Sequence, residues 1–125
     1  MSSDKIPAND SATERRRSLL AQITDLTTQG KIQWDRQLQS AHRYARWKNN
    51  LLILGPDVPP EDSKTPRYLF ITPFDSPDCI EINSDDKKLG PAVLTLVRAV
   101  EASTANKPAI DPFAVSDELL SRLTE

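Results

Sequence analysis

Basic and aromatic side chains are interleaved between positions 34 and 47, and their types could support recognisable chemistry. Guanidinium groups bind phosphates, and aromatic rings stack on nucleobases. The residues concerned are Trp34, Arg36, Arg43, Arg46 and Trp47. This pattern predicts, as one of two alternatives, a module that binds single-stranded nucleic acid through strands within residues 31–48.

Charge is divided unevenly along the sequence, and this division favours a second alternative. Residues 14–48 hold eight Lys or Arg against three acids, whereas residues 49–125 hold seven against thirteen. The whole chain has a formal net charge of −2, although nucleic-acid-binding domains are usually basic overall. Opposite charge within one chain is typical of self-association or of docking to a charged protein. The leading hypothesis is therefore a protein-interaction or adaptor domain that forms a homodimer.

Side chains suited to catalysis or metal binding are few. The chain has one histidine, His42, and one cysteine, Cys79, so a single subunit cannot build a multi-cysteine or histidine-rich metal site. The acids between positions 75 and 86 lack the Asp-x-Asp-x-Asp-Gly spacing of a calcium loop. Neither a glycine-rich phosphate loop nor a Gly-x-Ser-x-Gly elbow is present. We therefore expect no enzymatic activity, no metal and no cofactor.

The first helix is predicted to end at Gly30, where the apolar pattern changes from helical spacing to strand alternation. Leucine and isoleucine recur at helical spacing from 19 to 26, and Ser11 with Glu14 matches a capping box. These signals predict a helix over residues 12–29. Three arginines at 15–17 then fall in its first turns, where positive charge opposes the helix dipole.

A second helix is predicted near the C-terminal end of the domain. Pro91 suits the first helical position, and the apolar residues after it are spaced to form one buried stripe: Val93, Leu96, Val97 and Val100. The following residues, 103–112, are predicted to form a linker. A last short helix is expected to begin near Asp111 and Pro112.

Five strands are predicted between the helices, over residues 31–38, 42–48, 51–55, 67–72 and 79–83. Most spacers between them are too short for parallel crossovers, so the neighbours must be antiparallel. The predicted fold class is α+β, with an N-terminal helix, a four- to five-stranded antiparallel meander, a helix packed on one sheet face and a short helical appendage. We expect a disordered N-terminus over 1–10, one domain over 11–102, and the linker and short helix over 103–125.

Both faces of the predicted sheet carry apolar side chains. Leu69 and Ile71 point to one face, while Tyr68 and Phe70 point to the other. Because the two main helices can cover one face, Tyr68, Phe70 and Tyr44 are left for the C-terminal segment, a second subunit or a ligand, and we predict that they form a partner-binding surface. The proline-rich segment 55–66 leaves open a small-molecule pocket beneath it.

The sequence resembles small uncharacterised bacterial domains built from a helix and an antiparallel meander. The segments that carry this resemblance are Leu26 to Trp34, a following strand that contains Tyr44, and a terminal helix rich in Leu and Val. This resemblance covers residues 18–102 and implies no activity and no site residue. The longest apolar run, Leu51 to Leu54, is far shorter than the ~20 residues that cross a bilayer. With no apolar signal core at the N-terminus, the sequence predicts a cytoplasmic protein without membrane contact.

Overall fold

The computed structural model describes residues 8–38, 40–56, 64–110 and 120–124. Within these ranges a helix precedes a five-stranded antiparallel sheet, and a second helix follows it. The predicted α+β fold class is confirmed. The elements are α1 (Ala8–Thr28), β1 (Asp35–Arg36), β2 (Arg43–Trp47), β3 (Asn50–Gly55), β4 (Tyr68–Pro73), β5 (Ile80–Asn83) and α2 (Gly90–Thr104).

The first helix starts earlier than its sequence signals indicate. α1 begins at Ala8, so residues 8–10 of the segment predicted as a disordered N-terminus are helical, whereas residues 1–7 lie outside the described ranges. Ser11 lies inside the helix, and the predicted capping box is therefore wrong. The three arginines at 15–17 fall in the third turn instead of the first, where the opposing effect of the helix dipole is small.

The predicted helix stop at Gly30 is confirmed. α1 ends at Thr28, and Gly30 adopts the left-handed conformation, with φ of 75°, that glycine reaches without strain. The N–H of Lys31 then bonds to the carbonyl of Leu26 at 2.8 Å, and the N–H of Ile32 bonds to the same oxygen at 3.2 Å. These bonds close the last turn of the helix.

The first strand is much shorter than predicted. Of residues 31–38, only Asp35 and Arg36 pair as a strand. The backbone of Ile32 completes the end of α1 instead, and the indole N–H of Trp34 donates to the hydroxyl of Thr27 at 2.9 Å. The apolar alternation at Ile32 and Trp34 therefore marks two core residues in an irregular segment.

The other four strands agree with their predicted positions to within two residues at each end, and the sheet order is β1-β2-β3-β4-β5. β2 and β3 are joined by the tight turn predicted near Asn49. Lys48 and Asn49 both have positive φ, 49° and 62°, as a two-residue hairpin turn requires.

One core lies between the helices and one face of the sheet, which we call the core face. The core-face residues of the strands are Ala45, Leu52, Leu54, Leu69, Ile71 and Ile82, and they form one buried cluster with residues of both helices. α1 contributes Leu20 and Ile23, while α2 contributes the apolar stripe predicted from the sequence. The opposite sheet face, which we call the outer face, carries the alternate residues of each strand.

The turn before α2 is organised by one carboxylate. Asp86 Oδ1 accepts the backbone N–H groups of Lys88 and Leu89 at 2.8 and 2.9 Å, and the backbone carbonyl of Asp86 accepts the N–H of Gly90. Because the first two bonds favour the charged form, they hold the pKa of the Asp86 carboxyl below its ordinary value.

After α2 the chain returns to the β1 edge of the sheet. Ile110 accepts a hydrogen bond from the N–H of Leu38 and donates one to the carbonyl of Arg36, which makes a parallel bridge beside Gln37. Residues 120–124 are helical, and the rest of the predicted C-terminal helix lies outside the described residues. None of the described helices is both long and apolar enough to span a membrane.

Candidate partner-binding face

The centre of the outer face is a row of apolar side chains on three adjacent strands. Tyr44 on β2 is opposite Ile53 on β3, which is opposite Phe70 on β4. All three are half-buried, whereas Leu52 next to Ile53 is fully buried on the core face. Asp35 and Glu81 extend this row onto β1 and β5, so acidic residues stand at its two ends.

A second row contains a hydrogen bond that crosses an entire strand. The ring of His42 lies over Gly55 on β3, and its Nε2 is 2.5 Å from the hydroxyl of Tyr68 on β4. A Cβ atom added at Gly55 would stand 2.3 Å from Cδ2 of His42. A side chain at this position would have to displace the imidazole, so the contact of His42 with Tyr68 favours glycine here.

Further contacts fix the aromatic rings of the outer face. The Tyr44 hydroxyl is 3.0 Å from Oγ of Ser40, which also accepts the backbone N–H of His42 at 3.2 Å. Tyr68 and Phe70 meet edge to face with ring centroids 5.0 Å apart, a favourable aromatic geometry. These contacts hold the rings of Tyr44, Tyr68 and Phe70 in defined orientations, so a surface built from them would lose little side-chain entropy on contact with another molecule.

A third row carries the positive charge of the face. Exposed Arg46 on β2 stands opposite half-buried Leu51, which is opposite Thr72 on β4. The Arg46 guanidinium lies 5.8 Å from the ring centre of Phe74, within cation–π range. A groove of about 660 Å³ runs beside this row, and its lining includes Tyr44, Leu51 and Ile110.

The three residues predicted to bind a partner lie together on the outer face. Tyr44, Tyr68 and Phe70 occupy strand positions of the same parity, while Leu69 and Ile71 are buried on the core face, as the alternation predicted. The sequence did not associate His42 or Gly55 with this surface. A glycine at the end of an apolar run resembles a turn residue. Its contact with the His42 ring becomes evident only when the pairing of β2 with β3 is known.

The five residues of the nucleic-acid alternative do not form one surface. Trp34 has no exposed area, so its ring is inaccessible for base stacking. Trp47 is half-buried and packs against the core, with the Lys48 ammonium 4.7 Å from its ring centre. Arg46 alone among the five projects from the outer face.

The other two arginines of that set contact the end of α2 and the residues after it. Arg36 Nη2 donates to the carbonyl of Lys107 at 3.0 Å, and Arg43 Nε donates to the Thr104 hydroxyl at 3.3 Å. Lys107 in turn donates to the carbonyl of Trp34 at 2.7 Å and lies 3.7 Å from Oδ1 of Asp35. These bonds tie the C-terminal end of α2 to the first two strands.

The two side chains considered for catalysis lie at opposite ends of the sheet. His42 precedes β2 at the Tyr68 end, whereas exposed Cys79 precedes β5 at the Thr72 end. Among the described residues, His, Cys, Asp and Glu side chains form no group of three that would suit a metal ion.

The space near the proline-rich segment contains a cleft. Its volume is about 460 Å³, and it lies between the chain entering β4 and α2, with Arg67 and Arg98 among its lining residues. Whether this cleft serves as the small-molecule pocket left open by the sequence stays a prediction, and the segment at 57–63 lies outside the described residues.

Comparison with known proteins gives no relative: neither a protein-family model, nor a curated protein, nor a solved structure matches this chain.

Proposed function

We propose that this chain is a non-catalytic protein-interaction domain that self-associates through the outer face of its sheet. The observation that carries the proposal is the apolar row of Tyr44, Ile53 and Phe70 on three adjacent strands, on the face opposite the core. Burying such a row against a complementary surface removes apolar area from water, the main favourable term in association.

The dimensions of the face set the expected strength of association. The four strands β2 to β5 span roughly 14 Å between their outermost axes at about 4.8 Å per step. A surface of this width lies at the small end of specific interfaces, which bury about 800 Å² on each partner. We therefore expect a weak dimer whose population rises with protein concentration.

Charge placement supports a second copy as the partner. Arg46 stands on β2 and Glu81 on β5, at opposite sides of the apolar row, and both are exposed. Asp35, the acid at the β1 end of the row, is paired with Lys107 of its own chain. In an isologous dimer with the two-fold axis along the strands, the Arg46 side of one copy therefore faces the Glu81 side of the other. The same surface thus supplies both apolar contact and charge complementarity.

The proposal is tested by light scattering on the purified chain over a range of concentrations. We expect the wild-type mass to rise toward twice the 14.0 kDa of one chain. The variant Tyr68→Ser/Phe70→Ser should remain monomeric at every concentration. Leu94→Ser is the matched control, because Leu94 is a 39% exposed apolar residue on α2 and should leave the dimer intact.

Two results would contradict the proposal. The first is a wild-type mass that stays at one chain across the concentration range. The second is a folded Tyr68→Ser/Phe70→Ser protein that associates as the wild type does, because self-association would then use another surface.

A further inference from the structure

The core is open at the end of the sheet where β2 turns into β3. The last row of residues with core-face parity consists of Trp47, Asn50 and Pro73, which stand opposite one another on β2, β3 and β4. A cleft of about 240 Å³ is lined by these three residues and by Leu19 of α1. We call it the end cleft.

The walls of the end cleft continue the apolar core toward solvent. Ile71 on β4 and Ile80 on β5 are paired neighbours with core-face parity, and both line the cleft. Ile71 is 5% exposed, whereas Ile80 is 36% exposed. Leu19 and Trp47 are half-buried and pack against the core cluster. Apolar side chains that a closed core would cover are therefore accessible to a small molecule at this end.

The polar side chains of the end cleft offer hydrogen-bond acceptors. Asp78 is exposed, and it is the only charged residue among the described residues that line the cleft. The side-chain amide of Asn50 donates to the carbonyls of Trp47 and Lys48 at 3.2 and 2.9 Å, which leaves its carbonyl oxygen for a ligand. Lys48 is not among the lining residues, and its ammonium lies 4.7 Å from the ring centre of Trp47. A ligand that suits these acceptors carries a positively charged hydrogen-bond donor.

We propose that the end cleft binds a small protonated aromatic amine, with its ring against Leu19, Trp47 and Ile80 and its ammonium group toward Asp78. Concave, mostly apolar surfaces with a few polar groups are typical of small-molecule sites. An apolar cavity of about 150 Å³ holds benzene, so the 240 Å³ of the end cleft suit a ring system about the size of indole. An anionic ligand of the same shape is disfavoured because it would meet the carboxylate of Asp78.

The dimensions of the end cleft favour a small molecule over a macromolecule. A specific protein interface buries about 800 Å² on each partner. The end cleft accepts one bicyclic ring, which is far smaller than such an interface. Its strand residues have core-face parity, so it is also separate from the outer face that we propose for self-association.

The exposure of Asp78 sets its expected share of the affinity. Most of the affinity should come from burial of the ring, because an ion pair with an exposed carboxylate contributes little. We expect a Kd of about 1 mM or below for an amine of this size. Loss of the Asp78 charge should weaken binding about threefold to fivefold.

The test follows the two indole N–H signals of the ¹⁵N-labelled chain by NMR at pH 7 during titration with tryptamine. Trp47 lines the end cleft, whereas Trp34 is buried and donates its indole N–H to Thr27, so Trp34 serves as the internal control. We expect the Trp47 signal to shift and saturate while the Trp34 signal stays constant. Indole-3-propionate has the same ring and chain but the opposite charge, and it should bind about tenfold more weakly.

Two pairs of variants locate the binding site. Asp78→Asn should show the threefold to fivefold loss of affinity for tryptamine, about the value of one exposed ion pair. Its matched control is Asp75→Asn, because Asp75 is an exposed acid in the same connection between β4 and β5 and does not line the cleft. Ile80→Ser removes part of the apolar wall and should weaken binding about fivefold or more. Its matched control is Leu94→Ser, since Leu94 is 39% exposed on α2.

Folding and assembly are checked on the same samples. Each variant should keep the wild-type unfolding midpoint and its mass by light scattering. If Ile80→Ser unfolds the protein, Ile80→Ala takes its place and should weaken binding severalfold. Tryptamine binding without a dimer, or a dimer without tryptamine binding, separates this inference from the proposed function.

Three outcomes would overturn the inference. One is a Trp47 signal that does not shift up to about 5 mM tryptamine, well above the expected Kd. Another is an equal shift of the Trp34 and Trp47 signals, which would show binding without a defined site. The third is equal affinity for tryptamine and indole-3-propionate, or an equal loss in Asp78→Asn and Asp75→Asn, because Asp78 would then not select the charge of the ligand.

Discussion

The two faces of the sheet use the same strands for different purposes. On β3, Leu52 and Leu54 are buried in the core cluster, whereas Leu51 and Ile53 on the outer face are half-buried and lie opposite residues of β2 and β4. Both faces are apolar, although only one is needed to form the described core. Apolar content therefore identifies a strand, whereas the role of each of its two faces depends on what packs against that face.

The largest expected effect comes from truncating neighbouring residues on the two faces. Leu52→Ala opens a cavity in the core and should lower the free energy of unfolding by about 2–5 kcal/mol. Ile53→Ala removes a half-buried side chain and should cost about 1 kcal/mol or less in the monomer. Urea unfolding at low protein concentration measures both. Equal losses would show that the outer face is packed as tightly as the core.

A smaller effect is expected at the His42–Tyr68 bond that crosses the outer face. Gly55→Ala places a Cβ atom in the ring of His42 and should cost about 1–3 kcal/mol through overpacking. The double variant Gly55→Ala/His42→Ala removes the clash and should recover part of that loss in the same unfolding measurement. The double variant could instead lose as much free energy of unfolding as the two single variants added together. In that case the close contact with the imidazole is not the reason for glycine at position 55.

The smallest effect concerns the turn outside both faces. Asp86→Asn should lower the thermal unfolding midpoint at pH 7, because an amide oxygen accepts the two backbone N–H groups less strongly than a carboxylate. Since the folded-state pKa of Asp86 is depressed, its contribution is present above the ordinary carboxyl pKa and is lost as the pH falls through the folded value. The difference in thermal unfolding midpoint between wild type and variant should therefore become smaller below about pH 4. A difference that stays constant to pH 2 would contradict this role.

Local patterns predicted the elements that depend on neighbouring residues. The end of α1 at Gly30, the turn at Asn49, the buried stripe of α2 and the parity of β4 all follow from side-chain types within a few positions, and the structure confirms them. Each requires only a backbone preference or a repeat of 2 or 3.6 residues.

Predictions that depend on distant residues were less successful. Trp34 has the alternation of a strand residue, yet its indole bonds to Thr27 beneath the helix end. His42 has the features of a surface residue, yet it reaches Tyr68 because the position between them lacks a side chain. The hydrogen bond between Arg17 and the carbonyl of Lys88 joins positions 71 residues apart, and no local sequence pattern predicts it.

The most direct test of the account follows methyl NMR signals of the unmodified chain during dilution. If the outer face self-associates, Leu51 and Ile53 should show concentration-dependent shifts, while Leu94 on α2 and Leu52 in the core should not. Shifts at Leu94 with none at Ile53, or no shifts over the concentrations at which light scattering detects a dimer, would contradict the account.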